Sequence, residues 1–221
     1  MSHLFPLWML KYLPNMPACH IGISLDARGP TNSITLGEVS SLLAFTEACR
    51  VIERGAADVM VTGGTGSRLA QVNYLFRDCR MHSHRAESPA AASRPFELDR
   101  DGMVNGEGAA VLVLESRQHA EARRAKILAR VLGFSNNCEP RPSNVPPQCT
   151  GIQASIKGAL RAGKLAAAEV GHVNAHGLSD RDQDVIEARA IRETLGDVPV
   201  TAPKSYFGNL GAAGGAAEMI A

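Results

Sequence analysis

The chain has 221 residues, 45% of them hydrophobic and only 5% aromatic, enough for one substantial α/β core or two small ones and too balanced for a disordered segment. Its 23 Lys and Arg against 22 Asp and Glu leave a formal net charge of +1, so no electrostatic footprint points to nucleic acid or to an anionic membrane. The five cysteines, Cys19, Cys49, Cys79, Cys138 and Cys149, form no CxxC and no Cys/His ligand pattern, which predicts a reducing cytoplasm and neither a disulfide framework nor a metal.

In chain order, "MSHLFPLWMLKYLPNMP" is apolar but broken by Pro6, Lys11 and Pro14 into pieces far short of the roughly 20 residues that span a bilayer. It also lacks a signal-peptide cleavage pattern. "HIGISLDARGPTNSIT" reads as two short β-type runs around the turn residues Asp26 to Pro30. "VSSLLAFTEACRVIERG" carries Val39, Leu42, Leu43, Ala48, Val51 and Ile52 near helical spacing, with Gly55 as its stop. "ADVMVTGG" and "GEGAAVLVLES" are continuous apolar runs, the pattern of strands covered on both faces.

Farther on, "SRQHAEARRAK" predicts an exposed helix, "ILARVLGFS" a strand and "NNCEPRPSNVPPQCT" a proline-rich loop. "GIQASIKGALRAGK" is helical, "VGHVNAHG" a strand entering a loop, "DRDQDVIEARAIRETLG" an amphipathic helix and "VPVTAPKS" a strand. "GNLGAAGGAAEMIA" closes the chain as the start of a small-residue helix. Alternation of helices with such strands predicts a layered α/β fold. The His82 and His84 pair in "MHSHR" reads as exposed loop residues.

Four motifs occur in one order: "GPTNSITLGEVSS", then "ADVMVTGG" with "RPFELDRDGMVNGEGAAVLVLE", then "VNAHG", then "APKSYFGNLGAAGGAAE". One alone is weak, but four in order at consistent spacing make chance similarity improbable. Together they resemble the β-ketoacyl-acyl carrier protein synthases of fatty-acid and polyketide synthesis, which are thiolase-fold condensing enzymes. The resemblance runs from about residue 15 to the end. It implies a partial layered α-β-α-β-α fold, with residues 1–115 as the remainder of an N-terminal half and 116–221 as an incomplete C-terminal half. It also implies a longer subunit, most of whose first half and C-terminal end have no counterpart here, so apolar surface should be exposed and the chain alone poorly soluble. A homodimer, or a heterodimer with a β-ketoacyl synthase, through a strand near 31–36 is a further implication.

The same resemblance assigns site residues. The family's nucleophilic cysteine stands at the turn into the first long helix, where a helix N-terminus favours a thiolate, and here that position is Glu38. Read from residues alone, Glu38 only stabilises a helix N-terminus, an effect of about 0.3–1 kcal/mol. His176 in "VNAHG" matches the first active-site histidine and Lys204 in "APKS" the orienting lysine; Asn209 falls at the second histidine. An Asn there can donate a hydrogen bond to a thioester enolate. The two threonines that hold the pantetheine arm are replaced by Leu178 and Asp180. Asp184 and Glu187 share a helix face, with Glu187 as the expected partner of Lys204 and a supporting residue. Cys49, three turns into the helix, reads as a buried hydrophobe.

Three functions follow, in order of preference. The first is a non-condensing partner subunit like the chain-length factors, which usually carry glutamine in place of the cysteine. The second is a malonyl-thioester decarboxylase or hydrolase using His176 and Asn209, with Glu38 protonated by burial so that it does not repel the malonyl group. The third is an active 3-oxoacyl-acyl carrier protein synthase. No cofactor is implied; the substrate would ride on phosphopantetheine, on acyl carrier protein or coenzyme A, and acyl carrier protein is a further implied partner.

Overall fold

The computed structural model describes residues 13–69, 81–139 and 144–221. The first element departs from expectation, because residues 16 to 24 are helical. Helix α1 spans Met16–Ser24, with Pro17 in its first turn, where a fixed φ favours helix and the missing N–H costs nothing. Residues 25 to 36 carry no strand. The two β-type runs, and with them the strand near 31–36 expected to join subunits, are therefore absent; β-branched Ile21 and Ile23 suit a strand only when a neighbouring strand pairs with them.

The next elements follow the sequence closely. A 3₁₀ turn, Gly37–Val39, leads into α2, Ser40–Glu53, whose buried Phe45, Ala48, Cys49 and Val51 recur at helical spacing. Strand β1, Val59–Ser67, pairs antiparallel with β2, Glu107–Glu115, in the register Val59↔Glu115 to Ser67↔Glu107. Helix α3, Arg117–Ala122, starts at Ser116, whose hydroxyl accepts from the His119 N–H. Then come α4, Thr150–Gly163; β3, Val173–Asn174; α5, Gln183–Leu195; β4, Val200–Thr201; the single-turn α6, Lys204–Phe207; and α7, Gly214–Ile220. Strands β3 and β4 pair in parallel over two residues each.

Two strand expectations need correction. The segment 127–135 forms no strand; it lies along α4 instead, with Gly133 against Ala159 and Gly163. A strand exists only through its ladder, and no described segment pairs with this one. Strands β1 and β2 are not covered on both faces either. Val59, Val61, Val111 and Val113, all on one face, are between 40% and 63% exposed. An apolar run cannot distinguish one covered face from two when the open face also carries valines. The proline-rich loop stands outside regular structure as expected, although residues 140–143 of it lie outside the described residues.

The covered face positions the site. Gly64 and Gly66 share one face of β1, toward α2 and the 210–213 segment, and the backbone of Leu210 to Ala212 lies directly on them. A Cβ at Gly66 would stand 2.1 Å from the Leu210 carbonyl oxygen, so only glycine admits this approach. Gly66→Ala is expected to lower stability by about 1–3 kcal/mol through forced backbone movement, measured by denaturant unfolding; an unchanged midpoint would contradict this packing. Ser41 on α2 accepts from the Ala216 N–H at 3.0 Å and joins α2 to α7.

Candidate functional site

Glu38 stands at a sharp elbow. Gly37 takes φ +61°, a left-handed conformation that favours glycine, and the Ser40 hydroxyl closes the turn by accepting from the Leu36 N–H at 2.8 Å and donating to the Gly37 carbonyl at 2.7 Å. The Glu38 carboxylate then reaches across the fold. Oε1 accepts from the Arg68 guanidinium at 2.6 Å and from Asn209 Nδ2 at 2.8 Å, while Oε2 lies 3.2 Å from His176 Nε2. Simple stabilisation of the helix N-terminus does not describe a carboxylate with these partners.

Each partner is itself oriented. Asn209 Oδ1 accepts from the Gly211 N–H at 3.0 Å, which turns the amide nitrogen toward Glu38. Lys204, 2% exposed, uses all three of its donors: to His176 Nδ1 at 2.9 Å, to the His176 carbonyl at 2.8 Å and to Glu218 Oε1. An ammonium can only donate, so Nδ1 accepts and the ring proton belongs on Nε2, facing Glu38. The backbone around His176 is held by Glu187, whose two oxygens accept from the His176 N–H at 2.7 Å and the Gly177 N–H at 2.8 Å.

Here the expectation for Glu187 is corrected. Its partners are backbone amides, and the acid that pairs with Lys204 is Glu218. Asp184 and Glu187, three apart on one helix face, do act together, since Asp184 takes the Leu178 N–H and Glu187 the two amides just before it. Asp180, expected to matter by lacking a pantetheine-binding hydroxyl, accepts from the Asp182 and Gln183 N–H groups at the start of α5. Leu178 is buried.

Two site residues escape a reading of the sequence. Glu218 is hidden in the small-residue run "GGAAE", where a lone acid in an otherwise apolar helix is the available signal. Arg68 follows "GGTGS" at the end of β1, and a lone cation there carries no motif; its side chain is 4% exposed. The stretch "RPFELDRDGMVNGEG" has the structural role expected of it and, with Ser93 just before it, also braces the site: Ser93 donates to the Lys204 carbonyl, the Phe96 N–H donates to Asp184, and Met103 Sδ contacts Asn209 Nδ2. His84 is exposed as expected, whereas His82 is half-buried in a bridge to Met103.

Burial pushes the Glu38 carboxyl up, but the hydrogen bonds that His176 and Asn209 donate to it, with the Lys204 ammonium nearby, outweigh it and hold the group down at about 2. These partners favour the carboxylate form of Glu38 over the protonated form that a decarboxylase reading requires. A carboxyl depressed from 4.5 to about 2 contributes stability that is complete above pH 4.5 and lost as the pH falls through about 2. The stability difference between the protein and Glu38→Gln is therefore expected to stay flat from neutral pH to 4.5 and to shrink below it; a difference that shrinks above pH 4.5 in paired unfolding titrations would contradict an ionised Glu38. Cys49 is buried in α2, and burial raises its thiol above the ordinary range, so it supplies no thiolate. Cys79 lies outside the described residues. Among the described residues no group of three His, Cys, Asp or Glu is placed to hold a metal ion, and no helix is long and apolar enough to cross a membrane.

Comparison with known proteins decides the family. The model of the beta-ketoacyl synthase N-terminal domain matches residues 2–120, and that of the C-terminal domain matches 128–221. The chain belongs to the beta-ketoacyl synthase family. A 3-oxoacyl-[acyl-carrier-protein] synthase 2 of Synechocystis is 34% identical over the whole chain and 54% of its own length. Two solved structures superpose closely. One is a type II polyketide synthase acyl-carrier protein in complex with its ketosynthase, with a TM-score of 0.92 and 28% identity over 99% of this chain and 55% of that one. The other, the ishigamide ketosynthase/chain length factor, has a TM-score of 0.88 and 27% identity over 99% of this chain and 53% of that one. The thiolase-like α/β fold expected from the sequence is the fold these ketosynthases share. The chain spans about half the length of the curated relatives it matches.

Proposed function

We propose that this ketosynthase-family protein is a non-condensing subunit of fatty-acid or polyketide biosynthesis, acting like a chain-length factor beside a cysteine-bearing ketosynthase. The observation that carries this reading is the engagement of Glu38 at the elbow. Condensation begins with an acyl thioester attacked by a thiolate; a carboxylate would give an anhydride, which is less stable than the thioester it replaces. Glu38 is also occupied as a charge. The two side chains that would polarise a thioester carbonyl, His176 and Asn209, both face its carboxylate.

That occupancy weighs equally against malonyl decarboxylation. Stabilising an enolate requires donors aimed at an empty position for the developing oxyanion, and here a permanent anion holds them. Its charge would also repel the malonyl carboxylate. The scaffold that remains, Lys204 with Glu218 and Glu187 with the His176 loop, serves shape, which is what a partner subunit needs. Any carrier-borne thioester would then react on the partner.

Co-expression with a cysteine-bearing ketosynthase from the same source tests the reading. The two are expected to co-purify as a heterodimer, with condensation lost when the partner's cysteine is replaced. A protein that remains alone while the ketosynthase dimerises with itself would overturn it.

A further inference from the structure

A guanidinium cannot shed its proton, so a buried arginine needs an anion. Arg68 is such a residue: its NH2 group reaches Glu38 Oε1 at 2.6 Å, while Nε and NH1, both buried, have no hydrogen-bond partner among the described residues. Among the described residues Glu38 is its only carboxylate partner. Its retreat is limited as well. The Arg68 N–H donates to the Gly106 carbonyl at 3.1 Å, and the side chain lies so close to Gly211 that a Cβ there would meet Nε at 2.7 Å.

We infer that Arg68 is a positioning residue that makes a full negative charge obligatory at position 38, so that a neutral glutamine is not equivalent to Glu38. The inference rests on the reading of Glu38 as a fixed, non-nucleophilic carboxylate and adds a second residue to it. Glu38 and Arg68 form one unit: the carboxylate compensates the guanidinium, and the guanidinium shares Oε1 with Asn209 and leaves Oε2 for His176. A glutamine would offer one oxygen, which cannot serve all three donors, and would present an NH2 group to a neighbour that can only donate. Position 38 is thus an anion site filled by the protein's own side chain. A cavity of about 290 Å³ beside it is lined in part by Gly37, Ser40 and Arg68.

A charge cycle tests this. Thermal midpoints are measured at neutral pH for the protein, Glu38→Gln, Arg68→Met and the double variant. Arg68→Met is expected to lower the midpoint when Glu38 is present and to raise it when Gln stands at 38, a reversal of sign that loss of packing alone does not produce. Should Glu38→Gln fail to fold, adding Arg68→Met is expected to restore folding, and no restoration overturns the inference. Equal effects of Arg68→Met in both backgrounds also overturn it. As a direct probe, sodium formate is compared with sodium chloride at equal ionic strength on Glu38→Gly. Formate is expected to raise the midpoint of this variant and not that of Glu38→Gly with Arg68→Met; an identical response of the two contradicts an anion site built by Arg68. An acyl-enzyme found in the unaltered protein would sink the proposed function but leave this charge cycle unchanged, so the two failures are separable.

Discussion

Lys204→Met is expected to cost about 3–5 kcal/mol of folding stability, because it removes one partner of a buried ion pair and leaves the other charge in place. Lys204 is 2% exposed and Glu218 9%. Without the ammonium, Glu218 has lost its cation, and both the His176 carbonyl and Nδ1 lose their donor. Methionine fills much of the same volume, so packing is nearly conserved and the loss isolates the charge. Chemical unfolding reads the effect. A loss below about 1 kcal/mol would mean that the pair is solvated, contrary to the burial described.

A similar loss, about 3–5 kcal/mol, is expected for Asp184→Ala, where stranded backbone amides add to the broken ion pair. Asp184 is 1% exposed and accepts from the Leu178 and Phe96 N–H groups at 2.9 Å, with the Arg100 Nε at 3.5 Å. Alanine would strand two amides and deprive Arg100 of its counter-charge, and each stranded buried amide costs about 1–3 kcal/mol. The backbone it holds is unusual. Phe96 and Ser179 both take positive φ, at 64° and 65°, a conformation that non-glycine residues sustain only when their surroundings over-determine it. The 93–100 segment and the loop after His176 are therefore expected to loosen together. The exposed Arg189–Glu193 pair on the same helix is the control: its removal should leave the unfolding midpoint where it is.

How far the sequence reveals this molecule depends on whether a feature is local. Helix α2 and strands β1 and β2 are legible because their apolar residues recur at a fixed period or run unbroken, and periodicity needs no knowledge of the neighbours. Segment 127–135 has the same local pattern and forms no strand, because its backbone would need a partner that no described segment supplies. Helix α1 is the converse: Ile21 and Ile23 suggest a strand, while Pro17 at the first turn and the absence of strand pairing leave a helix.

The site divides in the same way. Motif position singles out Glu38, His176, Lys204 and Asn209, and the structure brings all four together. What each one touches is not legible. Spacing places Glu187 on one face of α5 but cannot say that the face meets backbone amides of the His176 loop. Arg68 gains its role only from the fold, since an arginine after a buried strand is ordinary until the elbow presents a carboxylate to it. Burial alone suggests a protonated Glu38; the donors and positive charges converging on it reverse that sign.

The central claim is that position 38 holds an ionised, engaged carboxylate where an acyl group would have to attach. Intact-protein mass spectrometry after incubation with acyl-loaded acyl carrier protein tests it most directly, with a cysteine-bearing ketosynthase as the positive control. The mass of this protein is expected to remain unchanged while the control gains the acyl group. An acyl adduct on this protein, on Glu38 or on any of its five cysteines, would contradict the account.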